Sequence, residues 1–106
     1  MNHINTLRKT LKEILFSSEN ANDFILSIYL FGSFVYSETP RDIDLLIIYD
    51  DLNDINNTLL VLKTLKEEIY KKNWNTFGLP THFTTLSQNE LSSYSNLTAS
   101  NFIKLD

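Results

Sequence analysis

The chain has 106 residues, with nine Lys plus Arg against thirteen Asp plus Glu, and a formal net charge of -4 at pH 7. That length suits one domain, residues 1–106, with one modest core. Zero cysteines exclude a disulfide framework, a thiolate zinc site and a cysteine nucleophile. The acidic balance argues against direct nucleic-acid binding, which needs a basic face for phosphates, and no apolar run of about 18 residues is present to span a membrane. Met1 to Glu13 is polar and carries no signal-like apolar region, which implies a cytoplasmic protein.

Ile4, Leu7, Leu11, Ile14 and Leu15 recur at helical spacing, which predicts an amphipathic helix over Asn5 to Phe16. The polar stretch Ser17 to Asp23 ends that pattern. Ile25 to Phe31 is almost continuously apolar and stops at Gly32, as a buried strand does. A short helix can start at Ser33, within a polar segment that runs to Arg41. Ile43 to Tyr49 is apolar and rich in isoleucine, and predicts a second buried strand. Asp50 to Asp54 reads as a turn. A second long helix follows from Ile55, with Leu59, Leu62, Leu65 and Ile69 in period and Asp54 or Asn53 as its cap. Lys71 and Lys72 suit the negative end of a helix dipole, so this helix is expected to end near Lys72. Asn73 to Pro80 then forms a loop. Thr81 to Leu86 reads as a third strand. Ser87 and Glu90 stand at capping-box spacing for a short helix. Ser95 to Asp106 fits no single pattern. The order defines a mixed α/β (α+β) domain.

The chemistry concentrates between Ile28 and Tyr49. Gly32 lets the backbone approach a ligand closely. The amides near Ser33 favour an anion such as phosphate, and the Ser33 hydroxyl can bond a phosphate oxygen. Asp42 and Asp44 are two apart at the start of a strand, so their side chains share a face. Two adjacent carboxylates repel unless a cation lies between them, and Mg²⁺ is the hard cation that takes oxygen ligands together with substrate phosphates.

A Gly-Ser pair ending one strand, followed by Asp-x-Asp opening the next, resembles the minimal nucleotidyltransferase family of the polymerase-β-like superfamily. The resemblance runs from Ile25 to about Leu91. It implies a small mixed sheet flanked by helices. It assigns Gly32 and Ser33 to the triphosphate of a nucleotide and Asp42 and Asp44 to Mg²⁺ and catalysis. Arg41 is a further nucleotide-binding candidate. The departures are specific. The family commonly reads Gly-Ser-x-Ala-Arg-Gly, and here Val35, Tyr36 and Ser37 stand at the last three positions. The eight residues between Ser33 and Asp42 make a gap slightly shorter than usual. The third carboxylate of the family has no acidic counterpart. His82 stands at its expected position, where a neutral imidazole could ligate a metal, and Thr81 is the next candidate.

By resemblance the chain is expected to act as an antitoxin. It would transfer AMP from ATP, or from another nucleoside triphosphate, to a tyrosine hydroxyl of a HEPN-type ribonuclease toxin encoded nearby. The alternative is a catalytically degenerate domain that neutralises or regulates its partner by binding alone, as a homo- or hetero-oligomer. A drug-modifying transferase ranks last, because its acceptor site normally needs a second domain. Arg41 equally suits a solvated loop, His3 an exposed terminal position, and Trp74 with Phe77 either covers a nucleotide base or, more commonly at a helix end, closes the core.

Overall fold

The computed structural model describes residues 2–17, 24–50, 55–91 and 102–106. Their elements, in chain order, are α1 (Asn2–Ser17), β1 (Ile25–Phe31), α2 (Ser33–Tyr36), β2 (Ile43–Tyr49), α3 (Ile55–Phe77), β3 (Thr81–Ser87), α4 (Gln88–Leu91) and β4 (Ile103–Lys104). The four strands form one mixed sheet in the order β3-β2-β1-β4. β2 runs antiparallel to β1 and parallel to β3, and β4 runs antiparallel to β1.

The alternation of side chains along each strand gives the sheet two unlike faces. Ile28 and Leu30 of β1 pair with Ile47 and Leu45 of β2, and all four are buried. Ile4, Leu7, Leu11 and Ile14 of α1 and Leu62, Leu65 and Ile69 of α3 complete that core. The opposite face carries Leu46, Ile48 and Leu86, with Tyr29, Phe31 and Phe102 packed against them. Asp44 and His82 belong to this second face by register, since Asp44 pairs with His82, Leu46 with Thr84 and Ile48 with Leu86. Helices α1 and α3 therefore pack on the first face, and Asp44 and His82 lie on the other.

The boundaries expected for β1 and β2 match the structure, because each is a mainly apolar run interrupted only by Ser27 or by Asp44. The helix expected to stop near Lys72 runs on to Phe77. Asn73 and Phe77 continue the buried stripe of Leu62, Leu65 and Ile69. Asn73 is fully buried and donates from Nδ2 to Thr81 Oγ1 at 2.9 Å. Phe77 meets Phe34 edge-on, with ring centroids 5.2 Å apart. The stop is Gly78, at φ 68°, whose amide bonds the Trp74 carbonyl at 2.9 Å. The expected loop shrinks accordingly to residues 78–80. Both bonds of the capping box are present: Ser87 N–H to Glu90 Oε1 at 2.9 Å, and Glu90 N–H to Ser87 Oγ at 3.1 Å. The ambiguous C-terminal stretch supplies β4, and Ile28 N–H donates to Asp106 Oδ1 at 2.9 Å beyond it. The caps proposed at Asn53 and Asp54 lie outside the described residues. Among the described residues, no helix is long and apolar enough to cross a membrane.

Candidate active site

β1 and β2 are neighbours, so the end of one faces the start of the other. Phe31, the last residue of β1, pairs with Asp44. The next residue, Gly32, turns the chain at φ 80° and ψ -160°, a conformation essentially confined to glycine. Glycine is required here for two reasons, its backbone angles and the space its missing side chain leaves. A Cβ built on Gly32 would overlap Oδ2 of Asp44 and would sit 3.2 Å from Asp44 Cγ. Only a residue without a side chain lets the Asp44 carboxylate occupy this space.

α2 starts at Ser33, with the Val35 amide bonded to the Gly32 carbonyl at 3.1 Å. Ser33 Oγ donates to Asp42 Oδ1 at 3.4 Å. His82 Nε2 stands 3.5 Å from Asp42 Oδ2. Asp42 is therefore a hub, reached by Ser33 from one side and by His82 from the other. Burial, first of all, holds the Asp44 carboxyl above its ordinary range, and the charge of Asp42 and a hydrogen bond shared with it add to the rise. The opposing charge of His82 lowers it in part.

The structure thus brings together Gly32, Ser33, Asp42, Asp44 and His82. Arg41 is exposed and directly precedes Asp42. The donor set suits a hard divalent cation. Two carboxylates are pressed together, which raises the cost of ionising Asp44, and a cation between them relieves that repulsion. Among the described residues, no group of three His, Cys, Asp or Glu side chains is placed to hold a metal ion, so the protein itself offers the aspartate pair alone. Positions remain for the oxygens of a substrate.

The sequence matches the family described as "Polymerase beta, Nucleotidyltransferase" over residues 9–101. The chain belongs to this nucleotidyltransferase family. No curated protein matches it. Among solved structures it is similar to a chain of a crystal structure of the toxin-antitoxin MntA-HpeT in a mutant form. The identity is 15%, the match covers 93% of this chain and 72% of that chain, and the TM-score is 0.56. At that identity the likeness concerns the nucleotidyltransferase fold.

Two further residues brace this cluster. His3 is partly buried rather than a free terminal residue. Its Nε2–H donates to the Phe34 carbonyl at 3.0 Å, and its ring meets Phe34 edge-on at 4.8 Å. It thereby ties α1 to the turn that carries Ser33, a link across 31 positions that no local pattern announces. Asn73 ties α3 to Thr81, the residue before His82. Its signal was available: a polar residue four places after Ile69, in line with the apolar stripe. Trp74 is half-exposed, so only Phe77 of that pair closes the core. An open groove of about 480 Å³ lies beside α2, lined in part by His3, Phe34, Pro40 and Phe77, and it does not include the aspartates.

Proposed function

We propose that this chain is a Mg²⁺-type, divalent-cation-dependent adenylyltransferase, the antitoxin of a toxin–antitoxin pair. Its substrate is ATP and its acceptor is a tyrosine hydroxyl of a HEPN-type ribonuclease toxin in the cytoplasm. The observation that carries the reading is the fit of the Asp44 carboxylate into the space that Gly32 leaves open, with Asp42 beside it. Gly32 and Ser33 lie against the triphosphate, with Ser33 Oγ exchanging Asp42 for a phosphate oxygen. Arg41 is placed to add positive charge at the same edge. Asp42 and Asp44 hold the cation, which when bound neutralises charge on the transferring phosphate. The acceptor oxygen bonds the α-phosphorus as its hydroxyl proton passes to solvent, the bond to the bridging oxygen breaks, and pyrophosphate leaves. The family membership and the shared fold with a toxin–antitoxin chain support this reading.

A second reading has its own observation. His82, not a carboxylate, pairs with Asp44 on β3. If that position must supply a base, the chain neutralises its partner by binding alone.

The test is label transfer from the α-phosphate of ATP to the cognate toxin, the product of the neighbouring gene. Transfer is expected with a divalent cation and abolished by chelation. Neutralisation of the toxin that persists without any transfer would instead establish the second reading.

A further inference from the structure

β3 lies at one edge of the sheet, and among the described residues it pairs only with β2. Ile43 N–H donates to the Pro80 carbonyl, so in this parallel ladder His82, Thr84 and Leu86 turn their backbone groups toward β2. Phe83 and Thr85 therefore turn their N–H and C=O groups outward. Sheet edges are normally protected by Lys, Pro, a bulge or a short length. The opposite edge, β4, has two residues, one of them Lys104. β3 has none of these devices. Thr81–Ser87 carries no charge and no proline, and its register with β2 runs unbroken over all seven residues.

A second feature stands beside this edge. Ile55, Leu59, Tyr70 and Trp74 of α3 are between 41% and 54% exposed. They fall within about 100° of one another, on a flank next to the buried stripe of Leu62, Leu65 and Ile69. α3 connects the parallel neighbours β2 and β3, and the right-handed course of such crossovers turns this flank toward the β3 edge. α1 lies on the other side, where Arg8 Nη2 donates to the Lys104 carbonyl of β4 at 3.2 Å. The apolar residues stand at the two ends of the flank, with Lys63, Lys66 and Glu67 between them. An antiparallel copy of the same flank sets Ile55 against Trp74, Leu59 against Tyr70, and Lys63 close to Glu67.

The centres of the strand edge and of the flank coincide. Asn73 bonds Thr81 at 2.9 Å, which fixes the height of α3 against β3. The middle of the flank, between Thr64 and Leu65, lies about 13 Å along α3 from Asn73, at 1.5 Å or so per residue. The same distance of about 13 Å along β3 from Thr81, at roughly 3.3 Å per residue, reaches the level of Thr84 and Thr85.

We propose that a second copy of this chain occupies this edge, with the two β3 strands antiparallel about a two-fold axis at Thr84 and the two α3 flanks packed against each other. In that register Phe83 and Thr85 of the second copy exchange both backbone hydrogen bonds, and Thr84 faces itself. Aromatic–β-branched and Thr–Thr pairs are favourable across strands. Strands about 4.8 Å apart put helices that overlie β2 and β3 on the order of 10 Å from each other, which is helix-packing distance. About a dozen residues per copy meet, roughly 1,000 Å² in total, the lower bound for a specific interface. A reversible, micromolar dimer is therefore expected. The interface does not depend on the nucleotidyltransferase reading.

The test is sedimentation velocity of the whole chain across a concentration series. The parent is expected to move from the 12.3 kDa chain mass to twice that mass as concentration rises. Trp74→Glu removes an apolar anchor of the flank, and Thr84→Lys sets two like charges face to face at the axis. Each is expected to raise the dissociation constant about tenfold or more. Thr84→Glu acts in the same way, and an equal mixture of the Thr84→Lys and Thr84→Glu chains is expected to recover the dimer. Both positions are exposed, and circular dichroism checks that each variant is folded. A parent that stays monomeric at every concentration, a dimer unchanged in folded Trp74→Glu or folded Thr84→Lys, or a mixture that stays monomeric overturns the proposal.

Discussion

Gly32→Ala is expected to abolish ATP binding and to lower the melting temperature by on the order of 10 °C. The backbone effect alone, a side chain forced to φ 80° and ψ -160°, costs about 1–3 kcal/mol. For a domain of this size each kcal/mol lowers the melting temperature by about 4–8 °C. The second effect falls on function. The added methyl would occupy the position of Asp44 Oδ2. The short aspartate side chain yields before the backbone does, so the group displaced is the cation ligand itself. Binding is therefore lost even under conditions where the variant remains folded. Gly78→Ala is the control. Gly78 also has a positive φ, 68°, but a Cβ there meets nothing within 4 Å. That variant loses about 1–2 kcal/mol of stability and retains its ATP affinity. Thermal melts and ATP titrations of the two alanine variants separate the effects.

Asp44→Asn is expected to move activity and stability in opposite directions. A bound cation supplies several kcal/mol of charge stabilisation in the transition state, and each 1.4 kcal/mol or so is tenfold in rate. Losing one carboxylate ligand therefore lowers label transfer by on the order of a thousandfold. Stability rises, for a reason that fixes its pH dependence. Burial and Asp42 raise the Asp44 carboxyl above the ordinary value of 3.8. The folded state therefore favours the protonated form. On this account the contribution to stability is fully present below pH 3.8 and is lost as pH rises through the folded-state value. At neutral pH Asp44 is ionised and destabilises the apo-protein, and a neutral amide removes that penalty. The melting temperature of Asp44→Asn should exceed that of the parent at pH 7, with the gap narrowing as the pH falls toward 4. Divalent cation plus ATP should reverse the order, because a ligand at a hundred times its Kd stabilises only the competent protein, by about 2.7 kcal/mol. Melts at two pH values, with and without ligand, read all three effects.

The two strands that build the site were legible because each is an apolar run broken by charge only at its end. Ile25 to Phe31 stops at a glycine, and Ile43 to Tyr49 starts between two aspartates. Spacing put Asp42 and Asp44 on one face, the family resemblance joined them to Gly32 and Ser33, and the antiparallel pairing of Phe31 with Asp44 is what brings the two pairs together. The end of α3 was misread because Lys71 and Lys72 suggested a dipole-compensated terminus. A glycine seven residues after Lys71 is the stronger stop, since it supplies the left-handed residue that ends the helix. β4 was not legible, because a strand of two residues has no periodicity and exists only through its pairing with β1. His82 could be placed on β3 from its neighbours, whereas its approach to Asp42 depends on the parallel register between β2 and β3. The hydrogen bond of His3 to Phe34 joins α1 to the Gly-Ser turn and has no local sequence signal at all.

Calorimetric titration of ATP into the protein with Mg²⁺ or Mn²⁺, repeated with chelator and with the Asp42→Ala plus Asp44→Ala variant, tests whether the aspartate pair holds a cation-dependent nucleotide site. Saturable binding that requires the divalent cation and vanishes in the folded double variant is the predicted result. Absence of binding to the parent protein, or binding that survives loss of both aspartates, would contradict it.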